Sequence, residues 1–549
     1  MNTSSGTLAI LLLAAGAAEA QQHQHPAATA PPATLVAGMG RVHHAIATKN
    51  ADAQRFFDQG LTYVYGFNHD EAIRSFRRAA ELDPSSPMPH WGIALALGPN
   101  INLDVDPERE KAAYDEAQQA QALLGGAPAI ERACVEALAE RYSNDPKADL
   151  KALAVKYKDA MRKLMRQYPD DLDAATLYAE SLMDLNPWQL WSPAGKPAEG
   201  TEEIVSVLES VLRRDRQHVG ANHYYIHAVE ASKTPERALQ SAKRLETLVP
   251  AAGHLVHMPA HIYMRTGDYL SAVSSNAKAA EVDRAYIAAN KPAGIYPAMY
   301  YNHNLDFLAS AAMMAGQFAT AKNAAGELVT NVTPALAEMA MLEPFAAKTL
   351  FVLLRFARWD DVLRLPAADA RFPLLVTLSH FGRGIAHAAR GNLAEAEREH
   401  GAYADARKAI KPESDWGYNK AKNMLEVTDA VLDAWVARAR RDDAAAIDAW
   451  RIAVIKEDML SYNEPADWFY PSRESLGAAL LRAKRFPEAE QAFRDDLTRN
   501  PKNGRSLYGL WQTMLVSRKG PEKPAVEAAE KQFRDAWKYA DVMLNIEDM

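Results

Sequence analysis

Six histidines between residues 223 and 303 carry the clearest chemistry in this chain. His223 and His227 stand one helical turn apart in HYYIH, His254, His257 and His261 follow in HLVHMPAH, and His303 lies in YYNHN. Histidine is the commonest metal ligand and the usual acid–base group near neutral pH. Residues four apart on a helix share one face, so His223/His227 and His257/His261 are two ready-made imidazole pairs. Sulfur takes no part. The only cysteine, Cys134, leaves no thiolate cage and no intrachain disulfide, and its setting, ERACVEALAE, reads as a packed thiol on a helix face. Imidazoles supplemented by carboxylates suit Zn, Cu, Fe or Ni.

The elements that must hold these residues repeat along the chain. Residues 53–86 place Gly60, Tyr63, Ala72, Phe76, Ala79 and Pro84 at positions eight, eleven, twenty, twenty-four, twenty-seven and thirty-two of one unit. Small residues let two helices cross closely, aromatics fill the gap, and proline ends the second helix. On these residues the chain resembles the tetratricopeptide (TPR) superfamily. The frame recurs from Leu172 (Ala179), Val219 (Ile226, Ala238, Pro250), Gly253 (Ala260, Tyr263, Gly267, Ala272) and Asn302 (Ala309, Gly316, Phe318, Ala321). It recurs again from Thr377 (Gly384, Gly391, Ala396) and Tyr470 (Gly477, Phe486, Ala489, Phe493, Pro501). The resemblance implies an all-α fold, a right-handed superhelix of roughly ten hairpins at the family period, with repeats across residues 46–549. Insertions interrupt it near residues 187–200 and 287–301.

The resemblance also implies which residues face the concave groove: the second, fifth, ninth, twelfth and thirteenth places of each unit. His223 and His227 take the fifth and ninth places of one repeat, and His257 and His261 take the same places in the next. His254 and His303 each take a second place. Groove places make up about a seventh of a ~34-residue unit, so six of six is a poor coincidence. Neighbouring helices about 9 Å apart put His223, His227, His257 and His261 at the corners of a rectangle of about 6 by 9 Å, suited to one central ion. His254 beside His303 leaves a second ion conceivable. Glu230 at a twelfth place, and Glu180 and Asp184 at the ninth and thirteenth of the preceding repeat, are candidates for a further ligand, an orienting partner or a base toward bound water. Arg265 and Met264 extend the groove lining, and Arg265 could hold an anion.

Two other readings compete. The histidines could contact a peptide laid in the groove, or form a network that only packs it. His69, His90, His380, His387 and His400 lack partners at ligand spacing and read as structural. Trp188 and Trp191 in NPWQLWS read as packing, with a lesser role in capping the groove. The segment YNEPADWFYPSRES, with Glu464, reads mainly as an inter-repeat connection.

Net charge is −8 and basic residues are dispersed over the 549-residue chain, so no nucleic-acid partner is expected. Residues 1–20 read as a signal peptide, an apolar run ending in Ala18-Glu19-Ala20, although no Lys or Arg precedes it. The run is too short for a comfortable membrane span, so a periplasmic or secreted protein without stable membrane insertion is expected. Residues 21–45, rich in Pro, Ala and Gln, read as a flexible tether. Its Gln21-Gln22-His23 start reads mainly as a polar linker with incidental histidines, although a free amine there, not closed by Gln cyclisation, would complete a square-planar nitrogen set suited to Cu(II) or Ni(II). No Gly-rich phosphate loop, G-x-S-x-G elbow or H-E-x-x-H occurs. The leading expectation is an exported binding protein that holds a transition metal in its groove and presents it to a peptide or protein partner. A metalloenzyme using the same histidines, with Glu230 or Glu180 as its acid–base residue, and a metal-free scaffold are the alternatives. Four closed histidines favour binding, and three with an open position favour catalysis.

Overall fold

The computed structural model describes residues 32–292, 294–518 and 523–549. The expected leader and the Gln21-Gln22-His23 motif lie outside the described residues. The fold is all-α, a solenoid of helical hairpins, with a single two-residue hairpin at 415–420 among the described residues. The first half runs α1 (Ala51–Tyr65), α2 (His69–Leu82), α3 (Met88–Leu97), α4 (Pro107–Ala122), α5 (Ala129–Ala139), α6 (Leu150–Gln167), α7 (Leu172–Met183), α8 (Thr201–Arg214), α9 (Val219–Val229) and α10 (Leu239–Leu248). There follow α11 (Gly253–His257), α12 (Pro259–Thr266), α13 (Tyr269–Asn290), α14 (Tyr301–Ala315) and α15 (Phe318–Val332). Each helix packs chiefly on its sequence neighbours.

The repeat residues do what their types require. A Cβ on Gly60 or on Gly92 would come within 2.6 Å of the Phe76 ring, so one phenyl is clamped between two glycines. Gly477 and Gly509 close on Phe493 in the same way, at 2.6 and 2.1 Å. Ala72 and Ala79 are fully buried where α1 and α2 cross. Such contacts tolerate no added methylene.

Two features depart from an open solenoid. The superhelix is wound so tightly that α1 meets α9, with Tyr65 against Gly220. The irregular segment 459–471 then returns to the first half, where the Tyr462 hydroxyl reaches Glu230. The described part of the expected tether, residues 32–45, is also packed rather than free. Ala33 and Met39 are buried, Val36 N–H donates to Gln59 (2.8 Å), and Ala251 N–H donates to Gly38 O (3.2 Å). Its Ala33, Leu35, Met39 and Val42 supply the apolar contacts that a Pro/Ala/Gln composition obscures.

Candidate metal centre

The first helices of three consecutive hairpins deliver the histidines: α9 carries His223 and His227, α11 and α12 carry His254, His257 and His261, and α14 carries His303. Pro259 supplies no N–H, and the helix is interrupted at Met258 between α11 and α12. A π-turn at Tyr296–Tyr300 leads into α14 and re-aims its first residues, a device common where a helix must present a side chain.

All six converge, but not as a four-cornered set. Ligand atoms of His223, His227 and His254 lie within 4.8 Å of one another, and those of His257, His261 and His303 form a second such trio. The expected pairing of His254 with His303 gives way to His254 against His223 (Nε2···Nε2 3.2 Å). His303 instead faces His257, with ring centres 4.9 Å apart. The setting is enclosed rather than an open groove: five of the six are 0–5% exposed and His303 is half-buried. A docked peptide therefore has little access to them.

Hydrogen bonds assign most of the ring protons. The Asn276 amide donates its NH2 to Ala272 O (2.8 Å), so its oxygen faces His257 and accepts that ring's Nδ1–H (2.7 Å). Glu230 accepts Nδ1–H from both His227 (2.7 Å) and His261 (2.5 Å). Tyr65 O accepts Nδ1–H from His223 (2.6 Å). These acceptors turn the Nε2 lone pairs inward, as second-shell partners of metal-binding histidines do. His257 and His261 then oppose Nε2 to Nε2 at 2.9 Å, a contact that requires a cation between them, either a proton or a metal ion. His227 Nε2 is buried with no partner.

Burial, reinforced by the neighbouring imidazoles, holds His223, His254 and His257 well below the usual histidine range. Burial also lowers His227, against the pull of Glu230. His303 falls to about 3 through burial and then His261. For Glu230 burial acts upward, but the His261 and His227 imidazoles outweigh it and keep the carboxylate ionised far below its ordinary value. His223, His227, His254, His257 and His303 are thus neutral donors beside one buried anion.

Each trio has its own aromatic backing. Phe67 lies 4.6 Å from His223 and 5.3 Å from His254, ring centre to ring centre, and Phe307 lies 4.8–4.9 Å from His257 and His261. Phe67 (φ 56°) and Trp188 (φ 59°), which meets His227 at 5.7 Å, both hold left-handed backbone. That conformation costs on the order of 1–3 kcal/mol for a bulky residue and persists where packing over-determines it. A cavity of about 20 Å³ opens beside His227 and Glu230, under Trp188 and Tyr462.

The other expected residues divide. Glu230 belongs to the cluster. Glu180 and Asp184 do not: they form a buried carboxyl pair with Arg141, whose guanidinium donates to Asp184 (2.7 Å). Burial raises both carboxyls, most strongly Glu180, where the Asp184 charge adds to it. Met264 and Arg265 line a cavity of about 230 Å³. Arg265 spends Nε on Glu230 O (3.0 Å) and one amino group on Ser232 O (3.4 Å), capping α9 instead of offering a free anion site. Sequence reasoning gave Tyr462 and Glu464 too small a part: Tyr462 links Glu230 (3.3 Å) to Glu464 (3.1 Å). Burial, opposed by Arg265, pushes Glu464 up to about 7. Sequence reasoning missed a separate cleft of about 820 Å³ lined by His44, Asp171, Asp173, His218 and Tyr65. There Asp173 accepts from Tyr65 OH, from His44 Nδ1–H (2.9 Å) and from His218 Nε2 (3.2 Å).

No family model matches the chain, and no curated protein matches it. Solved structures are similar at low identity. The human IFIT1 dimer with m7Gppp-AAAA is 13% identical, with 90% of this chain and 92% of that one covered at a TM-score of 0.34. Yeast Tom70 is 12% identical, over 91% and 94%, at 0.27. The APC/C hetero-tetramer Cut9–Hcn1 is 13% identical, over 86% and 78%, at 0.29. At these scores the fold assignment rests on the helices themselves. The m7Gppp-AAAA belongs to the IFIT1 structure, and the expectation of no nucleic-acid partner rests on charge alone. No helix among the described residues is long and apolar enough to cross a membrane.

Proposed function

We propose that this chain is a helical-repeat metalloprotein that holds a transition metal through His223, His227, His254, His257, His261 and His303 inside its solenoid. The observation that carries this is the opposition of His257 and His261 at 2.9 Å, with both Nδ1 protons bound to fixed acceptors. A shared proton answers that single contact. It leaves the buried Nε2 of His227 without a protein partner, a lone pair that a metal ion uses directly. Sets of three histidines leave a coordination position open, which favours chemistry on a small ligand. Enclosure argues against handing the ion to a peptide or protein partner, so the metalloenzyme reading replaces presentation to a partner. Zn, Cu, Fe and Ni all suit the donors.

The test is elemental analysis of untagged protein purified from its own compartment. We expect stoichiometric transition metal that chelator removes; protein that is metal-free and takes up none refutes the reading. Export belongs to the same proposal: the mature chain begins at Gln21, and amino-terminal sequencing that returns Met1 from a cytoplasmic fraction rejects it.

A further inference from the structure

We infer that the cluster is a two-ion centre, one ion on His223, His227 and His254 and a second on His257, His261 and His303. This rests on the metal reading above and goes beyond it in number and construction. Two ligands on opposite sides of one ion bound at about 2.1 Å lie about 4.2 Å apart. Six nitrogens on one ion would therefore all fall within such a distance of each other. They do not. The groups within 4.8 Å are the two trios, together with the set His227, Glu230 and His261 that spans them.

The two trios are built by one rule. The first takes an i,i+4 pair from one hairpin, His223 and His227, and one histidine from the start of the next, His254. The second takes the pair His257 and His261 and again one residue from the following hairpin, His303. In the repeat frame these are the fifth and ninth places of one unit and the second place of its successor, used twice in succession. A site generated by the repeat is generated again one repeat later. Each copy has its own phenylalanine wall, Phe67 in one and Phe307 in the other.

Glu230 joins the copies. Its two carboxylate oxygens take Nδ1–H from one ligand of each trio, His227 and His261. One buried anion thereby orients both halves and offsets part of the added charge. The cavity of about 20 Å³ beside His227 admits a ligand of water size, since one water needs about 10–15 Å³. The ligand class assigned to the first ion is therefore water, hydroxide or a diatomic molecule.

The test is titration of chelator-treated full-length protein with Co(II), read by calorimetry and visible absorption. Co(II) is chosen because a free amino-terminal Gln21-Gln22-His23 favours Cu(II) and Ni(II). We expect two equivalents per chain. His254→Ala and His303→Ala are each expected to bind one equivalent. One equivalent in the wild type overturns the two-ion centre while leaving the metal reading intact. No uptake overturns both. Two equivalents retained by both His254→Ala and His303→Ala place the second ion elsewhere and overturn the proposal. Should one variant fail to fold, the other variant and the wild-type count decide.

Discussion

Arg355 and Glu474 in the second half of the chain are as deeply buried as the histidines of the first, yet their surroundings are finished in a different way. Arg355 grips Glu474 with both amino groups, Asn503 bridges Glu474 (2.6 Å) and Asp496 (2.7 Å), and Ser506 donates to Asp496 (2.6 Å). Every carboxylate oxygen of Glu474 and Asp496 has a donor, while Arg355 Nε and Arg505 Nε are among the atoms left over. Among the histidines, lone pairs face lone pairs. A buried polar network that satisfies itself locks the packing of a core. One whose acceptors point at each other is arranged around something the chain does not supply.

That contrast can be broken by experiment. The largest effect is expected from Arg355→Ala, which strands the buried Glu474 carboxylate and should cost about 3–5 kcal/mol. Denaturant titrations should give the same loss with and without metal; a change in metal content would join the two networks. Next, metal at about a hundredfold excess over Kd should stabilise the folded protein by about 2.7 kcal/mol per site. Scanning calorimetry should show the shift reversed by chelator and absent from His227→Ala/His261→Ala. Stability indifferent to metal would reduce the cluster to packing. Glu230→Gln keeps the shape but removes the anion orienting His227 and His261. Metal affinity should fall about 10–100-fold, about 1.4–2.7 kcal/mol, in a competition titration; unchanged affinity would remove Glu230 from the site.

The smallest effect per step of the variable changed is a pH slope from the second half. Burial, with Glu474 adjacent, pushes Asp496 up to about 7 from an ordinary 3.8. The folded chain then binds a proton there that the unfolded chain has released, so stability falls as pH rises from about 4 to about 7. The slope is no more than about 1.4 kcal/mol per pH unit. Asp496→Asn should flatten its share of that slope in denaturation curves taken across the window.

Much of this arrangement was legible in the chain. Gly60 and Phe76 announced a close helix crossing because no other residue types fit one. The shared places of the histidines brought them together because a superhelix stacks equal places. The division into trios was harder, since it depends on His254 leaning back toward α9 and not forward toward α14. Glu180 and Asp184 went astray because Arg141, at the end of an irregular hairpin, draws them away. The left-handed backbone of Phe67 and Trp188 leaves no mark in residue type, as glycine would. Enclosure depends on Tyr462, 232 residues beyond Glu230, and local periodicity carries no information about such a return.

The Tyr462–Glu230 contact also bears on time. Segment 459–471 closes over residues that precede it by more than two hundred positions, so an ion entering during folding would be sealed in by a late tertiary step. Release would then wait on local opening of that segment, a motion with its own rate, and occupancy would record when and where the chain closed more than the free metal concentration afterwards. A protein folded without metal and one folded around it could persist side by side as distinct, slowly interconverting populations.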